Sequence, residues 1–237
     1  MSFSISASES SIPELRIRAF RAVDDFESCM KFRLGHLGVL EAFGFKLSSA
    51  TEEWMFNPDT YVIVIESPEG EVYGGSRLQK MGDNLQLPIQ SAVGDDIPNL
   101  NEYLSEFNPP IVELCGLWNS VAVAGLGIGS VYSIRAALAL AGLLNFQSVI
   151  ALCSAYTYRI SSKYGFRLVE SLADGGKIYY DGANQFAHIT LQRDVNHMFD
   201  SDENERKKII EIRQNPLILC EESIGNGITK IEYALSI

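Results

Sequence analysis

The run IVELCGLWNSVAVAGLGIGSVYSIRAALALAGLL, Ile111 to Leu144, changes period in its middle. Its first part is short, apolar and rich in β-branched residues, and reads as a strand. Its last part is apolar at helical spacing and reads as a buried helix. Between them lies AGLGIGS, Ala124 to Ser130, with alternate glycines at Gly125, Gly127 and Gly129. After a strand, such glycines let successive N–H groups turn inward, and the following helix adds the positive end of its dipole. The result is an anion cradle that needs no charged side chain. The plainer alternative is that the glycines only let helix and strand pack closely.

The cradle excludes two common occupants. A dinucleotide loop needs G-x-G-x-x-G, but Ser130 stands at the third glycine, and the next strand, VIALCSAY, carries no ribose-binding acid. A nucleoside-triphosphate loop needs Gly-Lys-Ser/Thr, and the loop holds no lysine. The bulk numbers narrow the field further. A net charge of -11 over 237 residues argues against nucleic acid, whose phosphates are held by clustered Lys and Arg. The longest apolar run, Ala136 to Leu144, is too short to span a bilayer, and MSFSISASESS lacks the features of a signal peptide. Four scattered cysteines and three histidines make a metal site improbable. The expectation is a cytoplasmic, metal-free protein that binds neither membrane nor nucleic acid.

Working outward, Met1 to Pro13 is Ser-rich and expected to be loosely ordered. Residues 14–237 read as one domain, extended by 200–237. ELRIRAFRA alternates as a strand, and VDDFESCMKFRLGHLGVLEAF has helical spacing. YVIVIES and EVYGGSRLQKM form a hairpin, bulged at Gly74-Gly75. Gly82 to Pro110 is a long irregular stretch with a short helix near Leu100 to Phe107. SVIALCSAY, FRLVES and QFAHITLQR are further strands, TYRISSKY a short helix, DENERKKIIEIRQ a charged helix and GITKIEYALSI a last strand.

The order of these elements resembles the GNAT superfamily of N-acyltransferases. Its glycine loop follows Gln/Arg-x-x-Gly-x-Gly/Ala; residues 124–129 match at both glycines, with Ala124 in place of Gln/Arg. SSKYGFRLVES resembles its Gly-Phe turn, at Gly165-Phe166. The resemblance implies an α/β (α+β) fold: a mixed, mostly antiparallel sheet with a splayed central strand pair and helices on both faces. It further implies that the pyrophosphate of acyl-CoA, or the phosphopantetheine of acyl carrier protein, meets Leu126, Gly127, Ile128, Gly129 and Ser130. The pantetheine arm would pair with Leu117 to Val121, including Asn119.

The strand before the loop is more specific. Glu-Leu-Cys-Gly-Leu-Trp-Asn, Glu113 to Asn119, resembles the Glu-Leu-Ser-Arg-Phe-x-Val of acyl-homoserine-lactone synthases and long-chain N-acyl amino acid synthases. Val72 to Leu78 resembles their Val-x-Gly-x-x-Arg-Leu, and Phe32-Arg33-Leu34 their first-helix arginine. By that resemblance Glu113 is the general base, and Arg33 and Arg77 shape the amine or acyl pocket. A carboxylate alone in an apolar run must be paired or titrate high, so Glu113 is equally read as the structural partner of Arg77. Strand alternation places Glu113, Cys115, Leu117 and Asn119 on one face. Gly116 replaces the family arginine. The superfamily's usual tyrosine acid falls at Ser161, which leaves Tyr158 or Tyr164 as substitutes out of register. Leu37, Leu40, Phe43, Phe45 and Trp118 suit a core or an acyl tunnel alike. Arg33 suits a solvated helix face equally well. Arg159, Lys163 and Arg167 form a local basic cluster able to meet a 3'-phosphate or an acidic carrier protein, or to be plain surface. The expected activity is acyl transfer from acyl-CoA or acyl carrier protein to a small-molecule amine; the alternative is a non-catalytic thioester- or protein-binding module.

Overall fold

The computed structural model describes residues 14–42, 52–82, 86–108, 110–123, 128, 130–180, 184–224 and 227–237. The expected loose segment 1–13 therefore lies outside the described residues, as do Phe43 and Phe45. Ten strands form one sheet: β1 (Leu15–Arg21), β2 (Thr60–Glu66), β3 (Val72–Lys80), β4 (Val112–Asn119), β5 (Val149–Ser154), β6 (Arg167–Leu168), β7 (Lys177–Tyr180), β8 (Gln185–Gln192), β9 (Leu217–Ile224) and β10 (Gly227–Ala234). Their spatial order is β6-β8-β5-β4-β3-β2-β1-β10-β9, and β7 also pairs with β8. Only the β1–β10 and β4–β5 pairs are parallel. The fold is thus mixed and mostly antiparallel, the GNAT-like architecture expected.

Alternation along the strands separates two faces. In β2, Ile63 and Ile65 pack under one layer of helices, and Val62 and Val64 under the other. The first layer is α4 (Ser130–Leu143) with α6 (Glu203–Gln214) against it. Sheet on one side and α6 on the other explain why ten of the fourteen α4 residues are buried. The second layer is α1 (Phe26–Ala42), α2 (Pro88–Val93) and α3 (Leu100–Ser105). Local chemistry starts these helices. The Asp25 carboxylate accepts from Ser28 N–H at 3.0 Å, and that of Asp202 from Asn204 and Glu205 N–H at 3.0 and 3.2 Å. Ser154 accepts from Thr157 N–H at the start of α5 (Ala155–Ser161).

Several expectations change in detail. The stretch 82–110 carries the short helix expected near Leu100, as α3, and in addition α2 and a 3-10 turn at Gly94–Asp96; apolar Leu87, Ile89, Val93, Leu100 and Leu104 are buried against β5 and β8. FRLVES shrinks to Arg167–Leu168, which pair with Leu191 and Thr190 of β8, with one further backbone bond from Val169 N–H to Ile189 O. The hairpin bulge falls at Tyr73, since Ile65 pairs with Gly74 and Glu66 with Val72. Strands β7 and β9 were not expected.

The last stretch is built into the sheet. Strand β10 runs parallel to β1, with Leu15 opposite Ile231 and Arg18 opposite Ala234. Arg135, in the middle of α4 and only 2% exposed, holds this part in place. Its guanidinium donates to Glu205 of α6 at 2.9 Å, Glu222 of β9 at 2.6 Å and Tyr233 of β10 at 3.2 Å. Lys208 supplies Glu222 with a second cation. Every charge in this buried group is matched, which is the condition under which burying ions is tolerable. Removing one partner strands the others. Arg135→Ala is expected to cost about 3–5 kcal/mol of unfolding free energy, read by urea denaturation; a loss under about 1 kcal/mol would show that the network is not structural.

Candidate active site

The gap between β4 and β5 organises the site. These parallel strands pair only at Val112–Val149 and Glu113–Ile150, although β4 continues to Asn119 and β5 to Ser154. Beyond Glu113 the strands separate, and a cavity of about 550 Å3 occupies the space. It crosses the sheet: His36, Val39 and Leu40 of α1 line one end, and Ile134, Ser161 and Phe166 the other. Backbone polar groups at such a gap lack a strand partner, so an extended ligand finds donors and acceptors ready. The dimensions are those of a small-molecule site.

Gly116 explains how β4 leaves its neighbour. Its φ of +59° lies in the left-handed region that side chains resist. It sits in a bulge, since Gly75 pairs with Trp118 but Arg77 with Cys115, leaving two β4 residues opposite Ser76. The bulge reverses alternation. Leu117 therefore packs with Val112 and Leu114 under α4, whereas Trp118 turns to Phe32 under α1. The expected single face of Glu113, Cys115, Leu117 and Asn119 is thereby corrected. An added Cβ at Gly116 would also sit 3.4 Å from Arg77 Nε and from Phe32 Cζ. Any side chain at residue 116 would be strained in that conformation.

The expected site residues separate into groups. Glu113 is 2% exposed and does not line the cavity. It accepts from Ile89 N–H, in the first turn of α2, at 2.9 Å. Burial pushes its carboxyl up to about 8, against the opposing effects of that N–H and of the Arg77 charge. The two side chains form no ion pair among the described residues, because the strand register sets Gln79 opposite Glu113 and Cys115 opposite Arg77. Arg77 is 9% exposed; its guanidinium lies 4.3 Å from the Trp54 ring centre, and its Nε and Nη1 have no hydrogen-bond partner among the described residues. Arg33 is not among the cavity-lining residues and pairs with Glu52 at 3.2 Å.

On the other side of the gap, Tyr158 stacks on His188 at 5.4 Å and is not among the cavity-lining residues. Tyr164 is 1% exposed and donates its hydroxyl to Val131 O at 3.0 Å, tying α5 to α4. The tyrosines that do reach the cavity are Tyr156 and Tyr180. In the basic cluster, Arg167 donates to Ser162 O and Asp200 O, and Arg159 lies over the Tyr156 ring.

The glycine loop is largely outside the described residues: Ala124 to Gly127, with Leu126, and Gly129 are not described. Ile128 is buried at 1% exposure and packs with the α4 core. With its amide turned to suit both neighbours, Asn119 donates to Trp118 O at 3.1 Å and accepts from Ser130 N–H at 3.2 Å. The first amide of α4 is thus capped by the chain itself. Val121 begins a 3-10 turn and is 75% exposed, so the strand expected to reach it ends at Asn119.

Two further residues entered the site without a sequence signal strong enough to find them. Cys153 lines the cavity from β5, with its thiol pushed up to about 11 by burial. His36 lines it from α1; burial, aided by the Arg77 charge, holds its imidazole down to about 4. His36 sits one helical turn after the buried Phe32, which places it on the inward side of α1, a signal that spacing alone supplies. Among the described residues no cluster of three His, Cys, Asp or Glu residues is placed to hold a metal, and no helix is long and apolar enough to cross a membrane.

No protein-family model matches the sequence, and no curated protein matches it. Solved structures match it in fold. FeeM, an N-acyl amino acid synthase from uncultured soil microbes, superposes with a TM-score of 0.59 at 13% identity, covering 84% of this chain and 98% of its own. BjaI, a CoA-dependent acyl-homoserine lactone synthase solved with SAM and isopentyl-CoA, gives 0.56 at 15% identity, covering 85% and 90%. An acyl-CoA N-acyltransferase from Pseudomonas aeruginosa gives 0.52 at 14%, covering 75% and 98%. The protein has the GNAT-like fold shared by these acyl-transferring enzymes.

The Glu113 carboxyl gives a test with a definite sign. An unfolded carboxyl titrates near about 4.3; in the fold it is raised to about 8. The folded state holds the proton more tightly, so the contribution of Glu113 is complete below the unfolded value. It is lost as pH rises through about 8. Glu113→Gln cannot titrate. The urea midpoint of the wild type is expected to fall relative to that of Glu113→Gln between about pH 5 and 9. Parallel curves would show that Glu113 is ionised throughout.

Proposed function

We propose that the protein is an N-acyltransferase that moves an acyl group from acyl-CoA or an acyl carrier protein to the amine of a small molecule. The observation that carries this reading is the gap after Glu113 with its cavity crossing the sheet. A thioester arm lying as an extra strand along the free side of β4 would bring its carbonyl into that gap, with the acyl chain among apolar residues such as Val39, Leu40 and Leu152. The neighbours in fold support the choice of reaction: one acts as an N-acyl amino acid synthase and another was solved with isopentyl-CoA. Both donor types remain compatible with the site. Capping of Ser130 N–H by Asn119 leaves the amides of Leu126, Gly127 and Gly129 as the proposed pyrophosphate contacts, and Arg159, Lys163 and Arg167 as candidate contacts for an acidic carrier.

The acceptor we infer is an amine that also carries a carboxylate, an amino acid being the simplest. Arg77 supports this: a buried guanidinium with two unpartnered nitrogens beside Cys115 and Gly116 is costly unless an anion satisfies it. A second reading, a non-catalytic thioester-binding module, is favoured by two facts: Glu113 does not line the cavity, and Ser161 occupies the usual tyrosine position.

Acyl-CoAs are expected to raise the melting temperature, and Gly127→Asp to abolish the rise by placing a carboxylate against the diphosphate. Thiol release across a panel of amines separates the enzyme from the module. A melting shift without release for any amine favours the module, and neither effect with acyl-CoA or acyl carrier protein removes the proposal. Arg77→Met is expected to raise KM for amino acids about 10–100-fold, the loss of one charged hydrogen-bonding partner. KM for the matching decarboxylated amines should not move. An equal rise for both would show that Arg77 does not read a carboxylate.

A further inference from the structure

Resting on the acyltransferase reading, we propose that His36 is the catalytic residue that takes the proton from the attacking amine and hands it to the departing thiolate. Amide formation from a thioester makes one C–N bond and breaks one C–S bond. The nitrogen must lose a proton, and the sulfur must gain one or leave as an anion. One group able to receive and then return the same proton satisfies both halves and leaves the protein unchanged. Imidazole is such a group.

Three observations single out His36. Its side chain lines the cavity, together with Cys115, Gly116 and Trp118 across the gap. Its ring nitrogens make no hydrogen bond to any described residue; among those residues its ring meets Phe32, at 6.2 Å and a tilt of 44°. It thus stands as a free acceptor at the site where the amine must arrive. The other candidates are committed elsewhere. Glu113 holds Ile89 N–H, Tyr164 holds Val131 O, Tyr158 is stacked on His188, and Ser161 donates to Tyr158 O. Cys115 and Cys153 do line the cavity, but burial pushes their thiols up to about 12 and about 11, so they neither accept a proton nor attack at neutral pH.

The surroundings suit both halves of the transfer. Burial and the Arg77 charge keep the resting imidazole neutral, hence able to accept. The nitrogen in the tetrahedral intermediate, positively charged and bonded to the carbon bearing the oxyanion, is a strong acid and gives up its proton to a weak base. The resulting imidazolium beside Arg77 is itself strongly acidic and protonates the sulfur as the C–S bond breaks. The helix makes room for this arrangement. The Trp118 ring presses so closely on α1 that a Cβ at Gly35 would overlap it, which sets the His36 turn of α1 directly against β4.

The test compares wild type, His36→Ala and His36→Gln with acetyl-, octanoyl- and palmitoyl-CoA and a matching acyl carrier protein as donors, and proteinogenic amino acids as acceptors. Donor binding is read as a melting shift and turnover as thiol release. The expected result is a loss in kcat of about 100-fold or more in both variants with the donor shift intact. Added imidazole should partly restore His36→Ala, whose missing ring leaves space for it. Variants that turn over within about threefold of wild type would overturn the assignment while leaving the acyltransferase reading in place. Loss of turnover together with the donor shift, unrelieved by imidazole, would assign His36 to packing and overturn it as well. A wild type that releases no thiol with any pair removes both readings.

Discussion

A parallel strand pair that stops pairing after two residues is the constraint on which everything else rests. A sheet gains by continuing its ladder, because each unmatched N–H and C=O away from water costs free energy. Here β4 and β5 forgo that gain along most of their length. The loss is enforced locally. Gly116 takes a left-handed conformation, β4 bulges, and the large Trp118 is thrown to the α1 side. Once the strands have separated, neighbouring helices cannot fill the space completely, and the cavity follows. The cavity in this fold is therefore a property of backbone geometry first and of side chains second.

Buried charge is used in two opposite ways. Around Arg135 every ion has a counter-ion within hydrogen-bonding reach, and that group binds α4 to α6, β9 and β10. Near the gap the ionisable groups are kept apart. Among the described residues Arg77 rests on an aromatic ring with two unpartnered nitrogens, Glu113 faces one backbone amide, and the His36 ring forms no hydrogen bond. Such separation costs stability, because a buried polar group without a partner is expensive. The same chain thus spends matched ions on cohesion and leaves unmatched ones around the β4–β5 gap, of which His36 lines the cavity.

Much of this was legible in the amino-acid order. The period change around 111–144 marked the strand and the helix, now β4 and α4, and Gly165-Phe166 lies, as read, between a short helix and a strand. The face assignment of β4 was not legible, because alternation assumes an unbroken pleat and Gly116 breaks it. The partners of Arg77 and Glu113 depend on register between strands more than thirty residues apart, which no local pattern encodes. Strand β9 carries charges that interrupt an apolar pattern, yet its Glu222 is buried, matched by Arg135 and Lys208. His36 went unread for another reason. One imidazole on a helix is an ordinary occurrence until the strand facing it is known.

The parallel seam between β1 and β10 has a consequence for how the chain comes off the ribosome. Its two strands lie more than two hundred residues apart in sequence, so β1 stands as an open edge until the residues between them have been synthesised. Closure waits for the β9–β10 hairpin to slot in, which makes assembly slow and leaves the nascent sheet adhesive. Shielding that edge during translation is a demand the topology itself imposes.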